Sequence, residues 1–267
     1  MSARDPAWNR ALVTGASSGL GAVFAQRLAA QGTHLVLVAR RGDRLAELAE
    51  HLRDEHPGPG DLDVEVLPAD LAAEPGVQAV TARLADDDAP IDLLINNAGV
   101  ATVGRLHRRD PAGERDLLRL NLEAPVLLTQ AHLAGLTRRG GRGGLINVAS
   151  LSGMIPMPVM ASYSASKAGL IAFTESLAAA YADHEIHLQA LCPGFVRTDM
   201  AAGHEEAAAR IPDLLWLDAE EVVDASLSSL GSGRLVVVPG WSYRALRRGS
   251  ALLPGTVLRR ITALASR

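Results

Sequence analysis

The stretch Arg10–Gly21, R-A-L-V-T-G-A-S-S-G-L-G, decides the fold. Its first half is a short apolar run ending at Thr14, and from Gly19 onward Leu20, Phe24 and Leu28 recur every four residues, as on one face of a helix. Between strand and helix stand Gly15, Gly19 and Gly21. Residues without a Cβ let the backbone turn sharply and approach a ligand closely, and a helix that starts at such a turn offers unpaired amides to an anion. Strand, glycine turn and helix together suit the pyrophosphate of a dinucleotide, with Ser17 adding a hydroxyl to the pocket. The spacing T-G-x-x-x-G-x-G differs from the commoner G-x-G-x-x-G and, taken alone, also fits an ordinary glycine-rich turn.

Downstream, residues 33–39, T-H-L-V-L-V-A, read as a parallel strand buried on both faces, ending in Arg40-Arg41. An acid at the end of this strand would hold a ribose 2′-hydroxyl; Ala39 stands there instead, and a neighbouring guanidinium suits a 2′-phosphate. NADP is therefore favoured over NAD, the other reading being two arginines that solvate a loop. Leu45, Leu48 and Leu52 mark a second helix, closed by H-P-G-P-G. A strand over 61–67 leads to Asp70-Leu71, a helix over 77–84 follows, and a strand over 91–95 runs into Asn96-Asn97-Ala98-Gly99. Small side chains there admit a cofactor, and the asparagines can bond to peptides of neighbouring strands. The loop over 100–109 carries Arg105, His107, Arg108 and Arg109, which suit a solvated surface better than an anionic substrate. Residues 110–136 read as one long helix with Asn121 inside it, and a buried asparagine must find partners. Further strands end at Ser150 and cover 186–191 and 234–238, with a helix over 218–230. Seven strands alternating with helices predict an α/β fold. It is a single Rossmann-type, doubly wound parallel sheet spanning 1–267, with helices on both faces and the site at the C-terminal strand ends.

The chemistry is carried by L-I-N-V-A-S at 145–150 and A-S-Y-S-A-S-K at 161–167. Tyr163 and Lys167 are four apart, on one face of a helix. A free tyrosine titrates near 10, and an ammonium within about 4 to 6 Å is expected to lower that value toward working range. Ser150 can hydrogen-bond the same reacting oxygen. Among 26 basic residues Lys167 is the only lysine. A compact ammonium can hold a ribose hydroxyl and relay a proton in a way that planar guanidinium cannot.

Ser150, Tyr163-x-x-x-Lys167, T-G-A-S-S-G-L-G at 14–21, N-N-A-G at 96–99, Asn121 and P-G-F-V-R-T at 193–198 together resemble the short-chain dehydrogenase/reductase family over about residues 10–240. The resemblance implies a catalytic group of Asn121, Ser150, Tyr163 and Lys167, with Asn121 distorting its helix and holding a proton-relay water. It implies cofactor contacts from Gly15, Ser17, Ser18, Gly19, Leu20, Gly21, Arg40, Arg41, Asp70, Leu71, Asn97, Ala98, Gly99, Tyr163, Lys167, Pro193, Gly194, Val196 and Thr198. Asp70 would contact adenine, although it suits a helix cap equally well. Thr198 would bond the nicotinamide carboxamide. The substrate lid would lie near 199–217, where Leu214, Leu215 and Trp216 are equally compatible with core. Hydride transfer between nicotinamide and a ketone or secondary alcohol is the implied activity, in a homodimer or homotetramer. A same-fold epimerase or dehydratase and a non-catalytic NADP-binding sensor or scaffold are the alternatives.

Composition sets bounds. The formal net charge of −4 gives no pull toward nucleic acid, the single Cys192 excludes an internal disulfide, and no Cys/His cluster has metal-ligand spacing. No apolar run is long enough to span a membrane and the first ten residues are too polar for a signal peptide, so a cytoplasmic location is expected. The apolar residues Met154, Ile155, Met157, Val159 and Met160 suit a greasy substrate as well as they suit core packing. The segment 241–267 holds six arginines and no acid, so it carries +6 against −10 for the rest. Interleaved Trp241, Tyr243, Leu252 and Leu253 admit weak contact with an anionic membrane, closure over a pocket, or a solvated terminal helix.

Overall fold

The computed structural model describes residues 8–56, 62–155, 157–198, 212–253 and 256. β1 (Arg10–Thr14) and β2 (His34–Ala39) are interior strands of the sheet whose alternation serves two cores. Ala11, Val13, Leu35 and Leu37 face one core, Leu12, Val36 and Val38 the other, and none of them has exposed surface. On the first side the core is closed by α1 (Gly19–Ala29), through Phe24 and Leu28, and by α2 (Gly42–Glu55), through Leu45, Ala49 and Leu52. On the second it is closed by Val80 and Leu84 of α3 (Glu74–Leu84).

β3 (Val64–Pro68), β4 (Leu93–Asn96), β5 (Gly143–Val148), β6 (Ile186–Leu191) and a short strand at Val236–Val237 complete seven parallel strands. The spatial order is β3-β2-β1-β4-β5-β6 and then Val236–Val237. The order reverses between β1 and β4, the switch point at which open α/β sheets form a crevice at the carboxyl ends of their strands. A separate two-stranded ribbon, β7 (Phe195–Val196) with β8 (Trp216–Leu217), was not visible in the sequence pattern. Numbered after them, Val236–Val237 is β9. It is shorter than the 234–238 expected, because only its centre pairs with β6.

Two features bring side chains to the site. Asn96 and Asn147 are register partners on β4 and β5, and Asn96 Nδ2 donates to Asn147 Oδ1 at 2.9 Å. The same amide donates to Thr129 Oγ1, and Asn147 Nδ2 donates to Thr174 Oγ1, so one buried polar row fixes two strands against the helices α5 (Ala124–Arg138) and α6 (Ala161–Ala180). The second feature divides the single helix expected over 110–136, at the place where the resemblance implies a distortion at Asn121. α4 (Pro111–Leu118) widens into a π turn over Arg119–Glu123 before α5 begins. The cause lies four residues beyond Asn121. Pro125 has no N–H to donate to the Asn121 carbonyl, and its ring would crowd that carbonyl in a regular helix, so the backbone opens there.

α7 (Ala219–Leu230) packs on the α1 side through Val222 and Val223, and α8 (Trp241–Leu252) follows β9. No helix among the described residues is long and apolar enough to cross a membrane.

Candidate active site

The glycine turn builds a cradle at the end of β1. Gly15 and Gly19 have φ of 68° and 55°, a conformation glycine tolerates and other residues resist. A Cβ on Gly21 would lie 2.2 Å from the Gly15 carbonyl oxygen, so only glycine allows α1 to start this close to the turn. Thr14 Oγ1 accepts from the amides of Asn97 and Ala98 at 2.9 and 3.0 Å, while Asn97 Nδ2 donates to the Thr14 carbonyl at 2.8 Å. These bonds hold the N-A-G segment against the cradle across the switch point. Thr198 closes the other side: its Cβ and Cγ2 lie 3.2 Å from where a Gly19 Cβ would stand.

At the mouth of the cradle the two neighbouring arginines separate. Arg41 Nη2 donates to Ser17 Oγ at 3.0 Å and Ser18 Oγ at 3.1 Å, while Arg40 is exposed. A guanidinium with two hydroxyls at a helix start is a donor set for an anion. Asp70 Oδ1 accepts from the Ala72 amide at 3.0 Å and the residue is exposed, so it shapes the turn ahead of α3, whose N-cap is Ala73. The Leu71 side chain is core, 5% exposed. Val196 packs partly into the core.

Ser150 follows β5 and Tyr163 and Lys167 rise from the first two turns of α6. The Tyr163 hydroxyl and Ser150 are hydrogen-bonded. Ser152, which sequence reading did not single out, donates both its amide and its hydroxyl to Ser150 Oγ, at 3.2 and 3.0 Å, and so orients that serine. Lys167 Nζ donates to the Val148 carbonyl at 2.7 Å and lies 5.8 Å from the Tyr163 ring centroid. Burial pushes the Lys167 ammonium down to about 8, which leaves it mostly charged at neutral pH. For Tyr163 the expected lowering is reversed. Burial raises the phenol above 10 and outweighs the Ser150 hydrogen bond, because a phenolate is penalised in a site this dry. The phenol is a proton holder in this geometry.

Asn121 is completely buried in the π turn. Its side chain clamps the Val100 peptide, donating to the carbonyl at 2.8 Å and accepting from the amide at 2.9 Å. A Cβ on Gly99 would stand 3.1 Å from Asn121 Oδ1 and 3.5 Å from Lys167 Nζ, so Gly99 is the gap through which the two groups approach. Pro125, four residues on, has no amide to offer the Asn121 carbonyl in a regular helical bond. Nearby, Glu114 accepts from Arg109 Nε at 3.1 Å and Thr102 Oγ1 at 3.3 Å. A hydrogen bond from Ser162 is the chief reason its carboxyl is held below the usual range. This ties the loop after β4 to the helix start one residue before Tyr163. Arg105, His107 and Arg108 are exposed, as a solvated loop requires, but Arg109 is not a free surface arginine.

The loop after Ser150 divides. Ile155 is core, while Met154, Met157, Val159 and Met160 remain half-exposed, and the Gly104 amide donates to the Val159 carbonyl at 2.8 Å to join the two loops. Leu214 is 74% exposed. Residues 199–211 of the expected lid lie outside the described residues, as do Pro156 and the end of the basic segment. Cys192 is fully buried and its thiol is pushed up to about 12 by burial, so it is neutral filler. Among the described residues no group of three or more His, Cys, Asp or Glu is placed to hold a metal.

A doubly wound sheet with a glycine cradle and a Ser-Tyr-Lys cluster at one crevice defines a nucleotide-binding α/β protein. The sequence profile of the short chain dehydrogenases matches residues 9–209, and the chain belongs to that family. An uncharacterized oxidoreductase of Mycobacterium tuberculosis is 35% identical over 252 residues, covering 93% of this chain and 95% of that protein. A short-chain dehydrogenase from Sphingobium yanoikuyae, solved in complex with NADPH, is 33% identical with a TM-score of 0.80, over 92% of this chain and 96% of that one. The bulky-bulky ketone specific alcohol dehydrogenase from Comamonas testosteroni is 30% identical with a TM-score of 0.77, over 92% and 95%. The protein is therefore an oxidoreductase of this family.

Proposed function

We propose that the protein is an NADPH-dependent reductase of bulky, apolar ketones. The observation that carries this reading is the convergence, at one crevice, of the glycine cradle with its Ser17-Ser18-Arg41 donor set and the Ser150-Tyr163-Lys167 cluster. The residues fit the cofactor: Gly15 and Gly21 let the turn close tightly onto the start of α1, whose amides suit a pyrophosphate, Arg41 suits a 2′-phosphate, and Lys167 suits a ribose hydroxyl. When bound, the nicotinamide supplies a hydride to the carbonyl carbon.

The chain's own residues manage the oxygen. Ser150 donates to the carbonyl oxygen and polarises it, held in place by Ser152. Tyr163, protonated at neutral pH, gives its proton to the same oxygen as charge develops there. Lys167 stabilises the phenolate left behind, and Asn121, in the π turn ahead of Pro125, supports the water that returns a proton. Half-exposed Met154, Met157, Val159 and Met160, together with the NADPH-bound and bulky-ketone neighbours, support the cofactor and the substrate class.

The α4–α5 face exposes Leu118 and Leu127 beside Leu122 and Val126 around a hollow of about 390 Å³, which supports self-association into a dimer or tetramer. On α8, Trp241 and Leu246 are 69% and 51% exposed among Arg244, Arg247 and Arg248, which supports weak contact with anionic lipid.

The test is cofactor absorbance with a ketone series of rising size, using NADPH and NADH in parallel. Turnover should rise with ring count or alkyl length and should prefer NADPH. A preference for small charged carbonyls would overturn the substrate class, and equal use of NADH would overturn the cofactor.

A further inference from the structure

The loop after β6 is held from behind by a residue that the catalytic cluster does not include. Tyr243, in the first turn of α8, is 2% exposed. Its ring lies flat on Gly194: a Cβ there would stand 2.1 Å from the ring Cζ and 2.3 and 2.4 Å from the two Cε atoms. Its hydroxyl accepts from the Phe195 amide at 3.1 Å and donates to the Leu215 carbonyl. One oxygen thus ties together the first residue of β7 and the residue before β8, two strands that pair through Phe195↔Trp216 and Val196↔Leu217. Gly240, with φ 78°, makes the turn that aims α8 at this spot, packed on Leu217.

The strap reaches the reacting atoms by a short path. The Leu151 amide donates to the Pro193 carbonyl at 2.9 Å, so the residue after Ser150 is hung on the residue before Gly194. Thr198, three residues past Phe195, closes over Gly19. A shift of Gly194 and Phe195 would therefore reach Ser150 through the Pro193–Leu151 bond.

We propose that Tyr243 is a positioning residue that sets the distance between the β6 loop and Ser150, and through it the fit of a large ketone. This rests on the reductase reading above. It also gives the start of the basic C-terminal segment an inward role. Replacing the hydroxyl leaves a part-buried amide and a part-buried carbonyl without their shared partner, while the ring still fills its place against Gly194.

Tyr243→Phe is the test, read in two ways. In amide hydrogen exchange, the peptide covering Phe195–Thr198 should exchange about tenfold faster than in the unsubstituted chain, the scale of one lost hydrogen bond. In kinetics, kcat/KM for a bulky ketone should fall by about tenfold through KM, while the NADPH Kd and the Tm move little. Gly194→Ala, which drives a methyl into the ring, should reproduce the kinetic change with the hydroxyl intact. Unchanged exchange at 195–198 would overturn the strap whatever the activity. Faster exchange with an unchanged KM for bulky ketones would overturn its positioning role. An unsubstituted chain that reduces no ketone would instead overturn the reductase reading, leaving the exchange result to decide on the strap.

Discussion

Arg41 and Arg40 are adjacent in sequence, yet only Arg41 is bonded to the serines of the cradle, and under the proposed NADPH reading the two should differ in their effect on the cofactor. Arg41 already lies on the Ser17 and Ser18 hydroxyls at 3.0 and 3.1 Å, where a 2′-phosphate would meet the guanidinium, whereas Arg40 is exposed. A charge-assisted hydrogen bond contributes about 1.5 to 3 kcal/mol. Arg41 is itself exposed, so water and salt screen it and the lower end applies. Arg41→Ala should then weaken NADPH by about 1.5 kcal/mol, roughly tenfold in Kd, and leave NADH within about twofold. Arg40→Ala should cost less than about threefold for either cofactor, as expected of an exposed charge. Calorimetric or fluorescence titration at low and moderate salt measures all four numbers, and the Arg41 effect should shrink as salt rises. Equal loss of NADPH and NADH, or a larger NADPH loss for Arg40→Ala, would refute the assignment.

Three further outcomes are expected. His132 is fully buried, its Nε2–H donates to the Gly144 carbonyl at 2.9 Å, and burial holds its pKa down at about 4. An unfolded histidine takes up a proton near 6.5 that the folded one refuses until about 4. Stability is therefore full above 6.5 and falls, by up to roughly 3 kcal/mol, as the pH drops through that window; denaturant titrations of His132→Gln should show a flatter slope there, and an unaltered slope would contradict this. Leu118→Glu with Leu127→Glu should lower the molar mass seen by light scattering if the α4–α5 face joins copies, and a mass unaffected by the pair would remove that face from the assembly. Sedimentation with anionic vesicles at low salt should carry the protein down and release it at high salt, less so for Leu246→Asp; protein left in the supernatant at low salt would exclude lipid contact.

Much of the frame was legible because it depends on local periodicity. The alternation in β1 and β2 and the four-residue spacing in α1 reflect burial that neighbours in sequence already announce. Tyr163 and Lys167 were legible because four residues fix a helix face. What was not legible depends on tertiary surroundings. The direction of the Tyr163 shift turns on how deeply the phenol is buried, which no spacing reports. Arg40 and Arg41 could not be separated, since the path of that loop is set by Gly42 packing on Pro68, 3.1 Å from where its Cβ would stand. Tyr243 looked like part of a basic surface helix because its partner, Gly194, lies 49 positions away in sequence. The π turn was different: Pro125 stood four residues past Asn121 and carried the signal, but the apolar pattern on both sides outweighed it in the reading of one long helix.

Whether Tyr163 gives the proton to a carbonyl oxygen beside a bound nicotinamide is tested most directly by a single-turnover comparison of Tyr163→Phe with the unsubstituted chain. Each protein is loaded with NADPH deuterated at C4 and mixed with a bulky aryl ketone, and deuterium in the alcohol is followed by mass spectrometry while NADPH affinity is measured separately. The account predicts deuterium at the carbinol carbon from the unsubstituted chain. In Tyr163→Phe the rate should fall about 100-fold or more, the scale of a lost general acid, with NADPH affinity nearly unchanged. Transfer at an undiminished rate in Tyr163→Phe would contradict the claim.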